Sequence, residues 1–302
     1  MAFKRHSSLL ITLLISLSPI AIAQQHQLIQ LTFSDSTHDG YPYWSPDGSS
    51  ILYCSGTQTS CYTMKIPAEG GNPELITEIF AQHARWSPEG TYIAFDGDFG
   101  SIIQIIPSMG GVPVRIDPDT IPVILSGMPC WSPDGSRIAF HSRGTIYILE
   151  LRTGATSEFF RLEGKLAIPF DWSTNGEVIV ADVRDTVDRS RSDLWLLPLD
   201  GEPRQLSFLE GRQVKPSFSP DGSMVLFTSN HGGNADLWVM PAVGGEPVQL
   251  TFYKGDESNP GYDVEASWSP NGSTIAFSST RTGYWAIWKM ELDVEALKKS
   301  LF

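Results

Sequence analysis

The sequence predicts an all-β fold, a six-bladed β-propeller built of four-stranded antiparallel blades. Three observations lead to this prediction: a pentapeptide that occurs six times, its spacing, and a spare strand motif near the N-terminus. The six copies begin at Trp44, Trp86, Trp131, Trp172, Phe218 and Trp268, so they are 42, 45, 41, 46 and 50 residues apart. A period of this size, with room for about four short strands, is typical of propeller blades.

The pentapeptide reads Trp44-Ser45-Pro46-Asp47-Gly48 in its first copy and has the chemistry of a tight hairpin turn. Proline presets φ, aspartate tolerates the next position, and glycine adopts the left-handed φ that closes the turn. An apolar run such as Ile93-Ala94-Phe95 follows each copy. Because these runs are apolar on both faces, we expect each blade to be sandwiched between two others.

One motif predicts how the ring closes. Gln30-Leu31-Thr32-Phe33 matches the outer-strand motif Gln249-Leu250-Thr251-Phe252, yet no repeat precedes it. The last repeat ends near Leu292 without such a strand. We therefore expect the N-terminal segment to supply the outer strand of the last blade, which removes two exposed sheet edges. The propeller then spans residues 24–292, and residues 293–302 form a tail in which Asp293 caps a short helix.

The first 23 residues have the pattern of a cleaved signal peptide. Lys4 and Arg5 precede an apolar run from Leu9 to Ile22, and a small-x-small cleavage motif ends at Ala23. The alternative is a membrane anchor, which the short run and the adjacent cleavage motif disfavour. The sequence therefore predicts export to the periplasm or the medium, with no membrane insertion after cleavage.

Charge and cysteine content restrict the partners further. The formal net charge is −13, and removing Lys4 and Arg5 leaves 19 basic against 34 acidic residues. Such an acidic chain repels polyanions, which argues against nucleic acid and anionic membrane surfaces as partners. We expect a monomer. The three cysteines leave two possibilities open: a bridge between Cys54 and Cys61 with Cys130 free, or three unpaired thiols.

The pattern of Trp-Ser-Pro-Asp-Gly, Ile-Ala-Phe, Gly-Gly and Gln-Leu-Thr resembles the WD40-like (PD40) repeat of TolB-like β-propellers. The same repeat occurs in propellers that precede some serine peptidases. The resemblance covers about residues 28 to 292 and concerns the propeller alone, because TolB also carries an α/β domain ahead of its propeller. It implies a periplasmic protein-interaction module with a role in the cell envelope.

Loop lengths indicate which face of the propeller would bind a partner. The Ser-Pro-Asp-Gly hairpins are nearly uniform, whereas loops at the other end vary widely, as in Asp117–Pro129 and Tyr253–Glu265. Variable loops on a rigid scaffold are where binding usually resides. On this long-loop face an envelope protein or peptide would contact aromatic, basic and acidic residues. The candidates are His38, Asp39, Tyr41, His83, Lys215, Tyr262, Asp263, Glu265, Arg281, Tyr284 and Trp285.

Catalytic and cofactor motifs are weak by comparison, and we expect no cofactor. No Gly-x-Ser-x-Gly nucleophile motif or Gly-x-Gly-x-x-Gly nucleotide motif is present. Asp96-Gly97-Asp98 resembles half of a calcium loop, and the histidines fit no zinc spacing. The leading hypothesis is a non-enzymatic interaction module. The alternative is a propeller enzyme, such as a lyase or lactonase, with a metal at the channel mouth.

Overall fold

The computed structural model of the chain describes residues 27–34, 36–57, 60–100, 102–118, 121 and 127–302. The expected signal peptide, residues 1–23, lies outside the described residues. The described chain folds into six four-stranded antiparallel sheets, and their inner strands contact one another in sequence order around a closed ring. This confirms the predicted six-bladed β-propeller.

The blades follow the six repeats in order. Blade 1 consists of β2 (His38–Trp44), β3 (Ser50–Thr57), β4 (Ser60–Pro67) and β5 (Glu74–Leu75). Blade 2 consists of β6 (Ala81–Trp86), β7 (Tyr92–Gly97), β8 (Ile102–Pro107) and β9 (Val114–Arg115), with a 3-10 turn at Asp98–Gly100. Blade 3 consists of β10 (Cys130–Trp131), β11 (Arg137–Ser142), β12 (Thr145–Glu150) and β13 (Ala155–Phe160).

The remaining blades have the same strand order. Blade 4 consists of β14 (Lys165–Trp172), β15 (Val178–Asp185), β16 (Ser192–Pro198) and β17 (Arg204–Gln205). Blade 5 consists of β18 (Gln213–Phe218), β19 (Met224–Ser229), β20 (Asp236–Pro241) and β21 (Val248–Gln249). Blade 6 consists of β22 (Asp263–Trp268), β23 (Thr274–Ser279), β24 (Ala286–Glu291) and, as its outer strand, β1 (Leu28–Gln30).

The hairpin of each repeat is stabilised by its own polar side chains. In the first copy the Ser45 hydroxyl donates to Asp47 Oδ1 at 2.6 Å, and the Ser50 amide donates to Ser45 Oγ at 3.0 Å. Gly48 has a φ of 72°, which a side chain would disfavour. The amide-to-serine bond recurs in the other five copies. The serine-to-turn bond recurs in four of them, as where the Ser269 hydroxyl donates to Asn271 Oδ1 at 2.7 Å. These contacts explain why the pentapeptide is repeated.

Ring closure depends on the N-terminal segment, as predicted. Leu28 pairs with Met290, and the Leu31 amide donates to the carbonyl of Ile287 at 2.8 Å. The Thr32 hydroxyl then accepts the Ile287 amide at 2.9 Å. Blade 5 has the same arrangement, where the Thr251 hydroxyl accepts the Leu237 amide at 3.0 Å. The Leu-Thr motif thus ends the outer strands of blades 5 and 6 in the same way, with a threonine hydroxyl as the acceptor of an amide of the third strand.

Apolar side chains fill the space between neighbouring blades. Phe95, Phe140, Phe227 and Phe277 lie on second strands and are fully buried. A terminal helix, α1 (Val294–Leu301), adds to the packing between blades 5 and 6 through Leu297. Its amino end is capped as expected, because the Asp293 carboxylate accepts the Ala296 amide at 3.0 Å.

The cysteines adopt the first of the two arrangements left open by the sequence. A disulfide joins Cys54 on β3 to Cys61 on β4, with their Cα atoms 5.8 Å apart. Cys130 is free and buried, and burial raises the pKa of its thiol. In the described part of the chain, no helix has the length and hydropathy needed to cross a bilayer.

Candidate functional site

Five of the six inner strands have a register shift close to the position three residues before the aromatic residue of the repeat, and in blade 3 this position precedes the short strand β10. Five of the six residues at this position have the left-handed backbone that side chains disfavour: Tyr41, His83, Met128, Lys215 and Glu265, with φ between 44° and 62°. The sixth is Pro169, whose ring fixes a negative φ. Strained residues are often found at functional sites, and here they form one ring around the channel axis, which we call the bulge ring.

A second ring lies on the second strands, ten residues after each repeat aromatic. Its members follow the apolar run of each blade and are Cys54, Asp96, His141, Asp182, Thr228 and Ser278. This second ring supports the bulge ring. The Glu265 amide donates to Thr228 Oγ1 at 3.1 Å, and the Lys215 amide donates to Asp182 Oδ2 at 3.4 Å. The left-handed backbone therefore directs bulge-ring amides toward the preceding blade.

Both rings contribute to a cavity of about 620 Å³ at the long-loop end of the axis. Tyr41, His83 and Lys215 line it from the bulge ring, and His141 and Thr228 line it from the second ring. The axis then narrows to a space of only about 20 Å³. At the hairpin end, a separate cavity of about 260 Å³ is lined by the tryptophans and prolines of the repeats. The two ends of the axis thus differ in chemistry.

Two ion pairs and one histidine–carboxylate contact surround the long-loop cavity, and each joins a cavity-lining basic side chain to a carboxylate behind it. His83 Nδ1 lies 2.9 Å from Asp96 Oδ1, and Arg184 Nε donates to Asp182 Oδ1 at 2.9 Å. The Lys215 ammonium pairs with Glu265 Oε1. Asp96 and Asp182 are fully buried. Since none of the three carboxylates lines the cavity, each pair presents its basic member to it.

Tyr41, Lys215 and Glu265 form one interlocked unit across blades 1, 5 and 6. Glu265 Oε2 accepts the Tyr41 amide at 2.8 Å, and the Lys215 ammonium lies 4.3 Å from the centroid of the Tyr41 ring. Burial alone would raise the pKa of Glu265, but the Lys215 ammonium, together with the hydrogen bonds from the Tyr41 amide and the Ser278 hydroxyl, holds that pKa below its ordinary value. The pair is therefore charged at neutral pH, and it fixes the position of the Tyr41 ring.

His141 is a buried histidine without a hydrogen-bond partner. It is 1% exposed, and neither ring nitrogen has a partner in the described structure. Burial lowers the pKa of His141 to about 4, although the nearby Asp96 carboxylate acts in the opposite direction. The imidazole is therefore neutral at physiological pH. An unsatisfied polar group at a buried site costs stability, so its presence needs an explanation.

The structure brings five of the predicted contact residues together at this cavity. Tyr41, His83, Lys215 and Tyr262 line it, and Glu265 supports Lys215 from behind. Sequence reasoning missed Arg184 and Arg212, which also line the cavity. Arg212 lies six residues before its repeat aromatic and Arg184 twelve after, so comparing equivalent positions across the repeats would have found both.

A second group lies on blade 6, and we call Tyr262, Arg281 and Trp285 the rim cluster. The Tyr262 and Trp285 rings stack with their centroids 5.9 Å apart, and Tyr262 is 37% exposed. Arg281 pairs with the buried carboxylate of Asp263, and its guanidinium lies 5.1 Å from the Tyr253 ring centroid. The rim cluster is therefore held in place before any partner arrives.

Two other predicted contact residues are buried, although the sequence led us to expect that they face a partner. Asp39 is 2% exposed and accepts the Ser55 hydroxyl at 2.6 Å, so it holds the start of blade 1 rather than facing solvent. Asp263 is also buried. These carboxylates do not offer accessible negative charge. His38 is exposed, and the Tyr284 hydroxyl accepts a hydrogen bond from Gln30 at 3.3 Å, beside the closing strand.

Metal-binding geometry is absent from the described residues: no three His, Cys, Asp or Glu side chains converge in a way that could hold an ion. Asp96, from the partial calcium motif, is directed at His83 instead.

Comparisons with known proteins show that parts of this chain are similar in sequence to propeller and TolB proteins. The family model described as the tricorn protease N-terminal β-propeller domain matches residues 189–299. An uncharacterized Agrobacterium fabrum protein is 26% identical over 218 residues, which is 70% of this chain and 57% of that protein. A TolB homolog of Chlorobium luteolum is 30% identical over 152 residues, covering 49% of this chain and 30% of the homolog.

A third relative is the Tol-Pal system protein TolB of Bordetella pertussis, 31% identical over 124 residues. That match covers 39% of this chain and 27% of the relative. The chain thus spans between about a quarter and three fifths of the length of these three relatives.

Solved structures share the fold at lower identity. A protein from Agrobacterium tumefaciens assigned as TolB superimposes with a TM-score of 0.64 at 20% identity, covering 88% of this chain and 97% of that one. An oligogalacturonate lyase in complex with manganese has a TM-score of 0.60 at 14% identity, with coverage of 90% and 94%. Similarity at these identities shows the propeller fold alone. Together with the repeat motifs, it shows a β-propeller whose repeats are similar in sequence, over part of the chain, to those of TolB proteins.

Proposed function

We propose that this chain is a non-enzymatic interaction module of the periplasm, with a TolB-type role in the cell envelope. Its partner is a protein of the Tol-Pal system or a functionally equivalent envelope protein, which docks on the long-loop face. The sequence relationship to TolB proteins supports the class of function. The observation that carries the location is the rim cluster beside the axial cavity.

The rim cluster has the chemistry of an interface hot spot. Tyrosine, tryptophan and arginine dominate the energetics of protein interfaces, particularly where they are held in place before binding. Here the Tyr262 and Trp285 rings stack on each other, and Asp263 holds the Arg281 guanidinium. Because these groups are already ordered, a partner loses little side-chain entropy when it contacts them.

Binding of purified Tol-Pal proteins from the source organism tests the proposal. Residues 24–302 would be immobilised, and the affinity of each soluble Tol-Pal partner measured by surface plasmon resonance. The substitution Tyr262→Ala should weaken binding about tenfold or more, since truncating a hot-spot aromatic costs about 2 kcal/mol or more. Its melting temperature should stay near that of the wild type, because Tyr262 is 37% exposed.

The matched control is Tyr92→Ala. Tyr92 is 46% exposed and begins β7, beside the hairpin of blade 2 at the opposite end of the propeller. It should leave the affinity unchanged. If Tyr92→Ala abolishes binding while Tyr262→Ala does not, the docking face is wrong. If no Tol-Pal protein binds the wild type, the proposed partner class is wrong.

The alternative, a propeller enzyme with a metal at the channel mouth, makes a different prediction. Purified protein would then carry tightly bound metal in stoichiometric amount, which elemental analysis measures directly. The fold similarity to a lyase does not favour this alternative, because one propeller scaffold hosts unrelated functions.

A further inference from the structure

We propose that the long-loop cavity is a binding site for a small organic anion, a carboxylate carried on an apolar body. This site shares Tyr262 with the rim cluster but not Arg281 or Trp285, and it goes beyond the proposed function. The argument rests on the sign of the charges that line the cavity, on two unpartnered groups in its wall, and on its size.

The first observation is the charge of the wall. Arg184, Arg212 and Lys215 line the cavity, and no Asp or Glu is among its described lining residues. This is unexpected in a chain whose formal net charge is −13. The carboxylates of Asp182 and Glu265 lie behind Arg184 and Lys215. Each pair is therefore a fixed dipole with its positive end toward the cavity, which is the arrangement that stabilises an anion.

The second observation is that two wall groups lack partners. The Arg212 guanidinium makes no hydrogen bond or ion pair in the described structure, although the Arg212 amide donates to Asn230 at 2.6 Å. Its backbone is thus fixed while its charge is uncompensated. His141 is 1% exposed, and both of its ring nitrogens lack partners. Both are polar groups of the cavity wall that a ligand could satisfy.

The third observation is the volume of the cavity and the apolar part of its wall. A volume of about 620 Å³ falls in the range of small-molecule sites, roughly 300–1,000 Å³. Leu166, Ile168, Val214 and Val264 form apolar wall on blades 4, 5 and 6. An apolar wall with a few convergent polar groups is typical of sites for organic ligands. The ligand therefore combines a carboxylate with a hydrocarbon body.

A series of linear dicarboxylates from succinate to suberate provides the probes. Isothermal titration calorimetry at constant ionic strength should show binding of at least one member, with a Kd of about 1 mM or lower. Adipamide, a neutral compound of the same carbon length as adipate, should bind at least about tenfold more weakly, because it lacks the charge that Arg212 recognises.

The decisive variant is Arg212→Gln, which removes the unpaired charge without exposing a buried carboxylate. It should weaken binding of the best dicarboxylate about tenfold to a hundredfold, since a hydrogen bond to a charged group contributes about 1.5–3 kcal/mol. Arg152→Gln is the matched control, because Arg152 is exposed in a turn of blade 3 and does not line the cavity. That control should bind like the wild type.

Three results would overturn the inference: no binding by any dicarboxylate, equal binding of adipamide and adipate, or equal losses in the two arginine variants. Circular dichroism and melting temperature verify that each variant is folded. Because no protein partner takes part, failure of this experiment leaves the docking proposal standing, and failure of docking leaves the anion site standing.

Discussion

Ring closure by the N-terminal segment can be tested with a single pair of substitutions, Leu31→Ala and Leu250→Ala. Both leucines are 2% exposed, and both follow an outer strand at the same place in the repeat. Leu250 belongs to blade 5, whose strands are contiguous in the chain. Leu31 belongs to blade 6, where its neighbours are about 250 residues away in sequence.

The structure predicts equal costs at the two positions. The Leu31 amide donates to Ile287 at 2.8 Å and the Leu250 amide donates to Leu237 at 2.8 Å, so the backbone is anchored alike. The Leu31 side chain packs with Ile51 and Ile66 of blade 1 and Ala276 of blade 6, so it contributes to two blades. Truncating a fully buried leucine to alanine costs about 2–5 kcal/mol.

Equilibrium urea denaturation of residues 24–302 measures both free energies of unfolding. If the strand closes the ring in solution, the two variants should each lose about 2–5 kcal/mol, with similar m-values. If the segment is detached, Leu31→Ala becomes a surface substitution and changes stability by less than about 0.5 kcal/mol. A small loss at Leu31 beside a large loss at Leu250 would therefore refute closure by β1.

Two further predictions concern redox state and pH. Mass spectrometry without reductant should show Cys54 and Cys61 protected and only Cys130 alkylated after unfolding. Three alkylated cysteines would exclude the disulfide. Because the disulfide closes a short loop, it contributes at most about 2–3 kcal/mol to stability. Burial, aided by the neighbouring Asp263 carboxylate, raises the pKa of Asp236 to about 7. The folded protein then binds a proton that the unfolded chain releases, so this group's stabilising contribution falls as pH rises from about 4 to about 7. The stability of Asp236→Asn relative to the wild type should therefore increase between about pH 5 and about pH 8. If the melting temperatures of the two proteins differ by the same amount at every pH in this range, the assignment is wrong.

Much of the fold follows from local chemistry that the sequence displays directly. The turn residues of each repeat, such as Ser45 and Asp47, bond within five residues, so their spacing reveals every hairpin. The outer-strand motif also predicted closure, because Leu31-Thr32 matches Leu250-Thr251 while the last repeat lacks such a strand. These are short-range rules that hold regardless of what the blades surround.

The site was harder to predict because its contacts join different blades. Tyr41 and Glu265 are far apart in sequence, yet the amide of one donates to the carboxylate of the other. The sequence suggested that loops converge on the axis, but it could not distinguish exposed carboxylates from buried ones. Asp39 and Asp263 were therefore expected to face a partner, whereas the structure buries both behind their own blades.

The difference between the two ends of the axis is itself an argument about function. At the hairpin end every blade supplies an aromatic residue, and five of the six add a proline, which serves turn formation and packing alike. At the long-loop end, the second-ring positions hold different residues in different blades, and some of these residues are costly to bury. Burying Asp96 and Asp182 costs several kcal/mol per ion unless each is paired, and Cys54 or Ser278 shows that a small residue suffices there. The chain nevertheless pairs each carboxylate with a basic group that lines the cavity. Stability alone would not select this arrangement, which supports the two proposals that place a ligand and a partner at the long-loop end.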